Sequence, residues 1–576
     1  MSNVDAPGRA PEASLDNEGM DRGVGFLGLL WASEGSIIGS GWLFGALTAA
    51  SIAGPSAIIA WVIASFIVIV LALIHAELGG LFPVSGGTSR FPHYAFGSLA
   101  GATFGWFAYI QAASVAPIEV LAAIQYLSTA HWAHSWFSST GTVHGVGIIV
   151  AVAMMFFFVV VNLIGVRWLQ RVNNSLTTWK VAIPIVAIIF LLFHFHGGNF
   201  SHGGGFFVKG QEVKDVLIAI PTGGIVFSLL GFEQAVQLAG EARNPRRDVP
   251  RAVIISILLG GTIYVLLQVA FIGALDPKLL TDAGTWTSLA DPTAIGHSAA
   301  LKALNAAPFY QVAKLAGLAW LAVILRIDAV VSPGGTGLIY LTSGSRISFG
   351  LSKNGYLPEA FERNSSRRVP VFSIIVTGVI GLIFLLPFPS WAKLVGVVTA
   401  ASVLMYAGAP LAFGALRLQK PGLPRPYRLP AGNVLAPLGF VLANFIVYWA
   451  GWSVYSTLMV VMILGYALIA LSHKLHLNPN RPRIDWGAAI WVFPYLIGMG
   501  VISYLGGFPD PGDGILGGVG TFATVLVNTK TIGLYWDLLV LTIFSLGIYY
   551  LAISRRLSEA EVDHYVRDVY PPPVAE

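Results

Sequence analysis

The sequence predicts an all-α protein that crosses a membrane many times, and three observations carry that prediction. The 576-residue chain has only 33 Lys+Arg and 28 Asp+Glu, 11% charged, against about 25% in a typical soluble protein. Hydrophobic residues make up 55%, and the mean hydropathy is +0.74. Charge-poor stretches of about 20 residues, the length a helix needs to cross hydrocarbon, recur from end to end. A transmembrane barrel would show segments of about ten residues with alternating polarity, and none is present. The same figures exclude a soluble enzyme, a disordered chain and a fibrous one. The net charge of +5 does not point to nucleic acid, because Lys and Arg sit in short loops, where a membrane accounts for them. With no cysteine there is no disulfide, zinc–thiolate site or cysteine nucleophile.

The N-terminal tail, 1–23, is polar and acidic and lacks the basic n-region and cleavage site of a signal peptide. The first span is therefore expected to be retained. Spans follow near 24–50, 54–78, 98–128, 146–166, 174–196, 216–240, 252–275, 312–343, 371–388, 393–416, 434–452, 454–472, 486–506 and 531–553, fourteen in all. The eleventh and twelfth are separated on length. Leu429 to His473 has no charged residue, with Gly451 near the break. With the N-terminus in the cytoplasm, 24 of the 33 Lys and Arg fall in inside segments and seven outside, while Lys180 and Arg326 lie within spans. That bias puts both termini inside and supports an even count. The longest segment between spans, 276–311, is too short and too Ala/Pro-rich for a core of its own. The tail, 554–576, has one amphipathic stretch and then Pro571-Pro572-Pro573.

Two spans look built to break. Ile38-Gly39-Ser40-Gly41-Trp42-Leu43-Phe44-Gly45 puts three glycines at mid-depth of the first, and Ser228-Leu229-Leu230-Gly231-Phe232-Glu233 puts a glycine and a carboxylate at mid-depth of the sixth. Interrupted helices at matching positions of two halves mark an inverted repeat with a binding site at its interface. Five spans per unit makes the second unit inverted. The expected organisation is a first repeat at 24–200, a second at 201–418, accessory helices at 419–553 and the two tails. Freed N–H groups at a half-helix N-terminus suit a carboxylate, and freed carbonyls at the opposing end suit an ammonium. Two such breaks side by side would clamp an α-amino acid without any charged side chain. The plainer reading of Gly39, Gly41 and Gly45 is close helix packing.

These segments resemble the amino acid–polyamine–organocation superfamily of transporters. Ile38-Gly39-Ser40-Gly41 looks like its first-helix motif. Glu77-Leu78-Gly79 and Pro83-Val84-Ser85-Gly86-Gly87 look like its second-helix end and following loop. Asn162-Leu163-Ile164-Gly165-Val166 and Lys180 match its fourth and fifth helices. Gly231-Phe232-Glu233, Glu241-Ala242-Arg243-Asn244-Pro245 and Pro250-Arg251 match the sixth helix and its exit. Ser345-Arg346 and Asn354-Gly355-Tyr356-Leu357-Pro358 match the end of the eighth. The Ser-Gly-Trp-Leu-Phe-Gly variant looks most like a bacterial branch that includes aspartate–proton symporters. The resemblance implies the five-plus-five, LeuT-like fold with discontinuous first and sixth helices. It also implies a substrate site lined by Ile38, Gly39, Ser40 and Gly41 and by Phe227, Ser228, Leu229, Leu230 and Gly231, with Phe227 as an aromatic gate. The family core has twelve helices, so the last two spans are a departure.

Ionisable groups at membrane depth are functional candidates by default. Lys180 stands where proton-coupled relatives carry a lysine in place of an ion; the plainer reading is snorkelling to the interface. Glu34 precedes Gly39 by five residues and could pair with Lys180. Glu233 matches a family glutamate linked to proton sensing, or serves as an acceptor for freed backbone N–H groups. Arg326 and Asp328 are two apart and do not share a helix face. Arg326 could attract an acidic substrate side chain, or bridge to Glu119. Glu119 and Asp537 read first as structural. The expected function is proton-coupled amino-acid import through a bacterial inner membrane, with amino acid, protons and lipid bilayer as partners. Neither cofactor nor metal is called for, and nothing in the sequence sets an oligomeric state. An exchanger or polyamine antiporter on the same fold is the alternative, and a non-transporting amino-acid sensor is the alternative of another class. No G-x-x-x-x-G-K-[ST] motif supplies ATP binding, and no clustered nucleophile or metal set suggests an enzyme.

Overall fold

The structure, a computed structural model, describes residues 22–137, 142–164, 166–208, 212–290, 298–385, 391–480, 482–506, 508, 534–567 and 569–570. The N-terminal tail before residue 22, Arg9, Gly165, Lys209, Arg481, Lys530 and Pro571-Pro572-Pro573 lie outside the described residues. Among the described residues regular structure is helical, with β pairing confined to isolated bridges.

Every expected span has a helical counterpart. The first is Phe26–Ile37 and Gly41–Ala53, and the next four are Ala57–Leu81, Ser98–Leu127, Val146–Ile164 and Val166–Leu192. The sixth is Glu212–Thr222, Ile225–Leu229 and Gln234–Gln237, followed by Pro245–Ala274, Ala319–Lys353, Val371–Leu385 and Trp391–Gln419. The last four are Gly432–Trp449, Trp452–Lys474, Trp486–Ala489 continued by Val492–Leu505, and Leu534–Arg555. These helices are apolar all round, which suits a bilayer rather than water. Large side chains such as Phe156 and Ile463 point outward, each 67% exposed. The third span is instead buried along its length, so it forms the axis on which the others pack.

The first and sixth spans run antiparallel at the centre. At one end Val24 N–H donates to the Glu241 carbonyl (3.1 Å). At the other, the Thr48 hydroxyl donates to the Gly223 carbonyl (2.6 Å). The second five-span unit therefore enters the bundle from the face opposite the first. The fold is the five-plus-five inverted repeat with both central helices interrupted. Val24 and Tyr570 share one face: Val24 meets Glu241 there, and Arg246 lies over the Tyr570 ring at 5.9 Å.

One boundary differs from expectation, and two connecting segments pack onto the bundle. The eighth span begins at Ala319 rather than near 312, because the short helix Pro308–Leu315 stops at Gly317, whose φ of 76° no helix tolerates. The segment 276–311 does not stay outside the core. Its helices Pro277–Ala283 and Ala299–Ala306 bury Leu279, Leu280, Leu301 and Leu304, and Trp286 is buried beside them. It caps the face opposite the termini. The C-terminal tail also packs down. Helix Glu559–Tyr565 has a capping box at Ser558 and Glu561, and Val562, Val566 and Val569 are buried.

Candidate functional site

The first span breaks at Ile38–Ser40, and the freed backbone groups find side chains. The Ile37 carbonyl accepts the Tyr264 hydroxyl (2.6 Å). The Gly35 carbonyl accepts the Thr336 hydroxyl (2.9 Å) and the Lys180 ammonium. Ser40 N–H donates to Glu119 Oε2 (2.7 Å). The break is thus held by residues from the third, fifth, seventh and eighth spans, which satisfies the rule that backbone polar groups at membrane depth must be paired.

The sixth span breaks after Leu229, where Leu230 is extended and Gly231 has φ 128°. Gly231 N–H donates to Glu233 Oε2 (2.9 Å). Glu233 also accepts the Tyr406 hydroxyl (2.7 Å), the Tyr340 hydroxyl (3.3 Å) and the Gln111 amide (3.4 Å). Its carboxylate therefore serves the freed backbone, as one of its two sequence readings expects. The two breaks touch. A Cβ on Gly231 would lie 2.7 Å from Ile37 N and from Ser36 Cβ, and one on Gly41 would overlap Ser228. Both positions need glycine for this close approach.

Between the breaks lies a pocket of about 10 Å³, the scale of a single water and smaller than any amino acid. Ser36, Ile37, Gly39 and Gly41 line it from the first span, and Phe227 and Ser228 from the sixth. Val115 and Glu119 complete it from the third, and Thr336 and Tyr340 from the eighth. Phe227 sits edge-on to Trp391 (5.8 Å, 89°), and Trp391 donates to the Ser40 hydroxyl (2.8 Å). These rings close the pocket toward the capped face. Toward the termini, Arg346 Nε meets Glu241 Oε1 at 2.7 Å with both side chains 1% exposed. Two motifs quoted separately in the sequence thus meet as a buried ion pair.

Lys180 does not snorkel; it is fully buried and donates to Thr336 Oγ1 (2.8 Å) as well as to Gly35. The expected bond to Glu34 is not formed. Glu34 is fully buried and neither carboxylate oxygen has a hydrogen-bond partner among the described residues. Leu229 and Leu230 are buried at the sixth-span break, outside the pocket lining. Arg326 lies away from the pocket, its guanidinium 4.3 Å from the Tyr310 ring centroid, and it does not bridge to Glu119, which is engaged with Ser40. Sequence reasoning passed over Thr336, Tyr340 and Tyr264, and it read Glu119 first as structural rather than as part of the site. Of these only Glu119 carried a signal, as a carboxylate inside an apolar span.

Residues 24–469 match the profile of amino acid permeases. The chain belongs to the amino acid permease family. It is 34% identical over 541 residues to the glutamate/serine transporter AimA of Bacillus subtilis, covering 93% of this chain and 94% of that one. It is 34% identical over 550 residues to the aspartate-proton symporter of Bacillus subtilis, covering 93% and 97%. It is 24% identical over 481 residues to the branched-chain amino acid permease BcaP of the same organism, covering 81% and 97%. The permease is accordingly an amino acid transporter and not an enzyme.

Proposed function

We propose that this permease is a proton-coupled amino acid symporter of a bacterial plasma membrane, with both termini in the cytoplasm. The first repeat (24–200) rocks against the second (201–418), and the amino and carboxyl groups of the substrate bind the two breaks at Ile38–Gly41 and Phe227–Gly231. One observation carries the reading. The one amine at the break among the described residues, Lys180, is bonded at once to the Gly35 carbonyl and to Thr336, so its proton joins the first span to the eighth. Gaining that proton would draw the two repeats together; losing it would release them. Two relatives support an acidic substrate, since one is a glutamate/serine transporter and the other an aspartate-proton symporter. A small neutral substrate such as serine is the second reading, favoured because the pocket lining holds no guanidinium among the described residues. The test is uptake of radiolabelled aspartate, glutamate and serine by proteoliposomes at pH 5 and pH 7.5, with and without sodium. Accumulation that follows an inward proton gradient and ignores sodium is expected. Uptake that needs internal substrate and ignores the gradient would replace symport with exchange.

A further inference from the structure

The eighth span carries one carboxylate, and the clamp does not use it. Asp328 is fully buried. It accepts the Trp179 indole N–H (2.8 Å) and the Ser332 hydroxyl (2.8 Å to each oxygen). Trp179 is the chain neighbour of Lys180. Asp328, Ser332 and Thr336 stand at i, i+4 and i+8, one stripe of a single helix, and Thr336 Oγ1 is where Lys180 donates. Asp328 is bonded to Ser332, and Thr336 to Lys180, so two bonded pairs lie one helical turn apart on the stripe that leads from Asp328 to the Lys180 amine. Asp328 lies eight residues, about 12 Å of helix rise, from Thr336 toward the capped face.

The groups around this line are few. Lys180 is within electrostatic reach of Asp328, Glu119 and Glu34. Asp328 itself faces Trp179 and Lys180 from the fifth span, Tyr126 from the third and Trp42 from the first. Arg326 is turned away over Tyr310. Hydrogen bonding alone does not explain an acid here. An asparagine oxygen would accept the Trp179 and Ser332 protons equally well, without placing an ionisable group at a depth where such groups are costly.

We propose that Asp328 is the proton donor that charges Lys180 from the face opposite the termini. This rests on the symport reading above. As the protonated Asp328 gives its proton to the Ser332 oxygen, Ser332 releases its own hydroxyl proton to a water that enters the one-turn gap when the capped face opens; that water passes a proton to the Thr336 oxygen, and Thr336 releases its own hydroxyl proton to the unprotonated Lys180 amine. A neutral acid and a neutral amine become a carboxylate and an ammonium, so no net charge is created. Asp328 regains a proton from solution when the capped face opens.

The experiment uses the full-length permease in proteoliposomes with radiolabelled glutamate and serine. Wild type, Asp328→Asn, Ser332→Ala and Lys180→Ala are compared. Three readouts are taken: counterflow at equal pH, accumulation under an inward pH gradient, and acidification of trapped pyranine during uptake. Asp328→Asn keeps both acceptor bonds, so it should keep counterflow while losing at least about tenfold of gradient-driven accumulation, the low end of a positioned proton-transfer group. Ser332→Ala should lose accumulation in the same direction. If wild type is gradient-driven and Asp328→Asn matches it, with the same dependence on external pH, the relay is wrong and symport stands. If Asp328→Asn also loses counterflow, the residue is structural and the relay is likewise wrong. If wild type shows neither gradient-driven accumulation nor acidification, symport falls and the relay with it.

Discussion

Gly231→Ala tests the contact between the two helix breaks. At φ 128° an alanine is strained, at a cost on the order of 1–3 kcal/mol. Its Cβ would also lie 2.7 Å from Ile37 N and 2.7 Å from Ser36 Cβ. The first of those is backbone and cannot rotate away. Relief to the 3.4 Å of ordinary contact moves the breaks apart by about 0.7 Å. Displacing a binding constellation by about 1 Å can cost on the order of a hundredfold. We expect substrate binding to weaken at least about tenfold, or about 1.4 kcal/mol. Gly204→Ala is the control: φ is 111° and nothing lies within 4 Å of its Cβ, so it carries strain without overlap. Binding of radiolabelled substrate by scintillation proximity, with a thermal melt of each variant, separates the two effects. Both variants should melt earlier, and only Gly231→Ala should lose affinity. Equal affinities would show that the close approach of the breaks is not needed to form the site.

Arg346→Ala leaves Glu241 buried without its cation, and removing one partner of a buried pair costs about 3–5 kcal/mol; a melt that barely moves would contradict the burial of that pair. Lys180→Ala should abolish gradient-driven uptake and leave part of the counterflow; unchanged pH dependence would remove the lysine from the coupling. Arg326→Ala should reduce uptake of acidic and neutral substrates alike, because the guanidinium stacks on Tyr310 outside the pocket; a selective loss of acidic substrates would put it in the binding site. His93 lies in the short helix Gly87–Phe96 between spans, and its ring meets Tyr565 of the tail edge-on, centroids 4.4 Å apart. Burial, with the Arg90 charge beside it, pushes the imidazole from 6.5 down to about 3. Folding therefore favours the neutral ring. Its contribution is whole above pH 6.5 and is lost as pH falls from 6.5 toward 3, by up to about 1.4 kcal/mol per pH unit. Hydrogen exchange across 557–570 should quicken over that window, and flat protection would refute the linkage.

The broken helices were legible because glycine clusters and a carboxylate are out of place at the middle of an apolar span. That Gly231 touches Ile37 was not, since contact between breaks depends on how the two repeats fold together. Glu119 shows the limit more sharply. A lone acid in the third span gives no hint that it reaches 79 residues back to the Ser40 N–H. Thr336 and Tyr340 are silent for the same reason, being ordinary residues on a long helix until the fold sets them beside Gly35 and Glu233. Arg326 misled in the opposite direction. Charge at membrane depth flagged it, but an aromatic face satisfies a guanidinium as well as a substrate would. The packing of the tail was not legible, because a few valines in a polar stretch do not announce the surface that buries them.

That tail also fixes the order in which the protein can be finished. The Tyr570 hydroxyl donates to the Leu81 carbonyl across 489 residues (2.5 Å), and Leu557 N–H donates to the Ala95 carbonyl (3.2 Å). Lys420 meets both Glu559 and Asp563. Leu81, Ala95 and Lys420 leave the ribosome before their partners in the tail do. The face shared by Val24 and Tyr570 is therefore sealed only once the segment from Leu557 to Tyr570 has been made. A chain stalled or cut before Leu557 would keep every membrane span and still leave the surface around Leu81 and Ala95 uncovered, a natural mark by which quality control could tell an unfinished copy from a whole one.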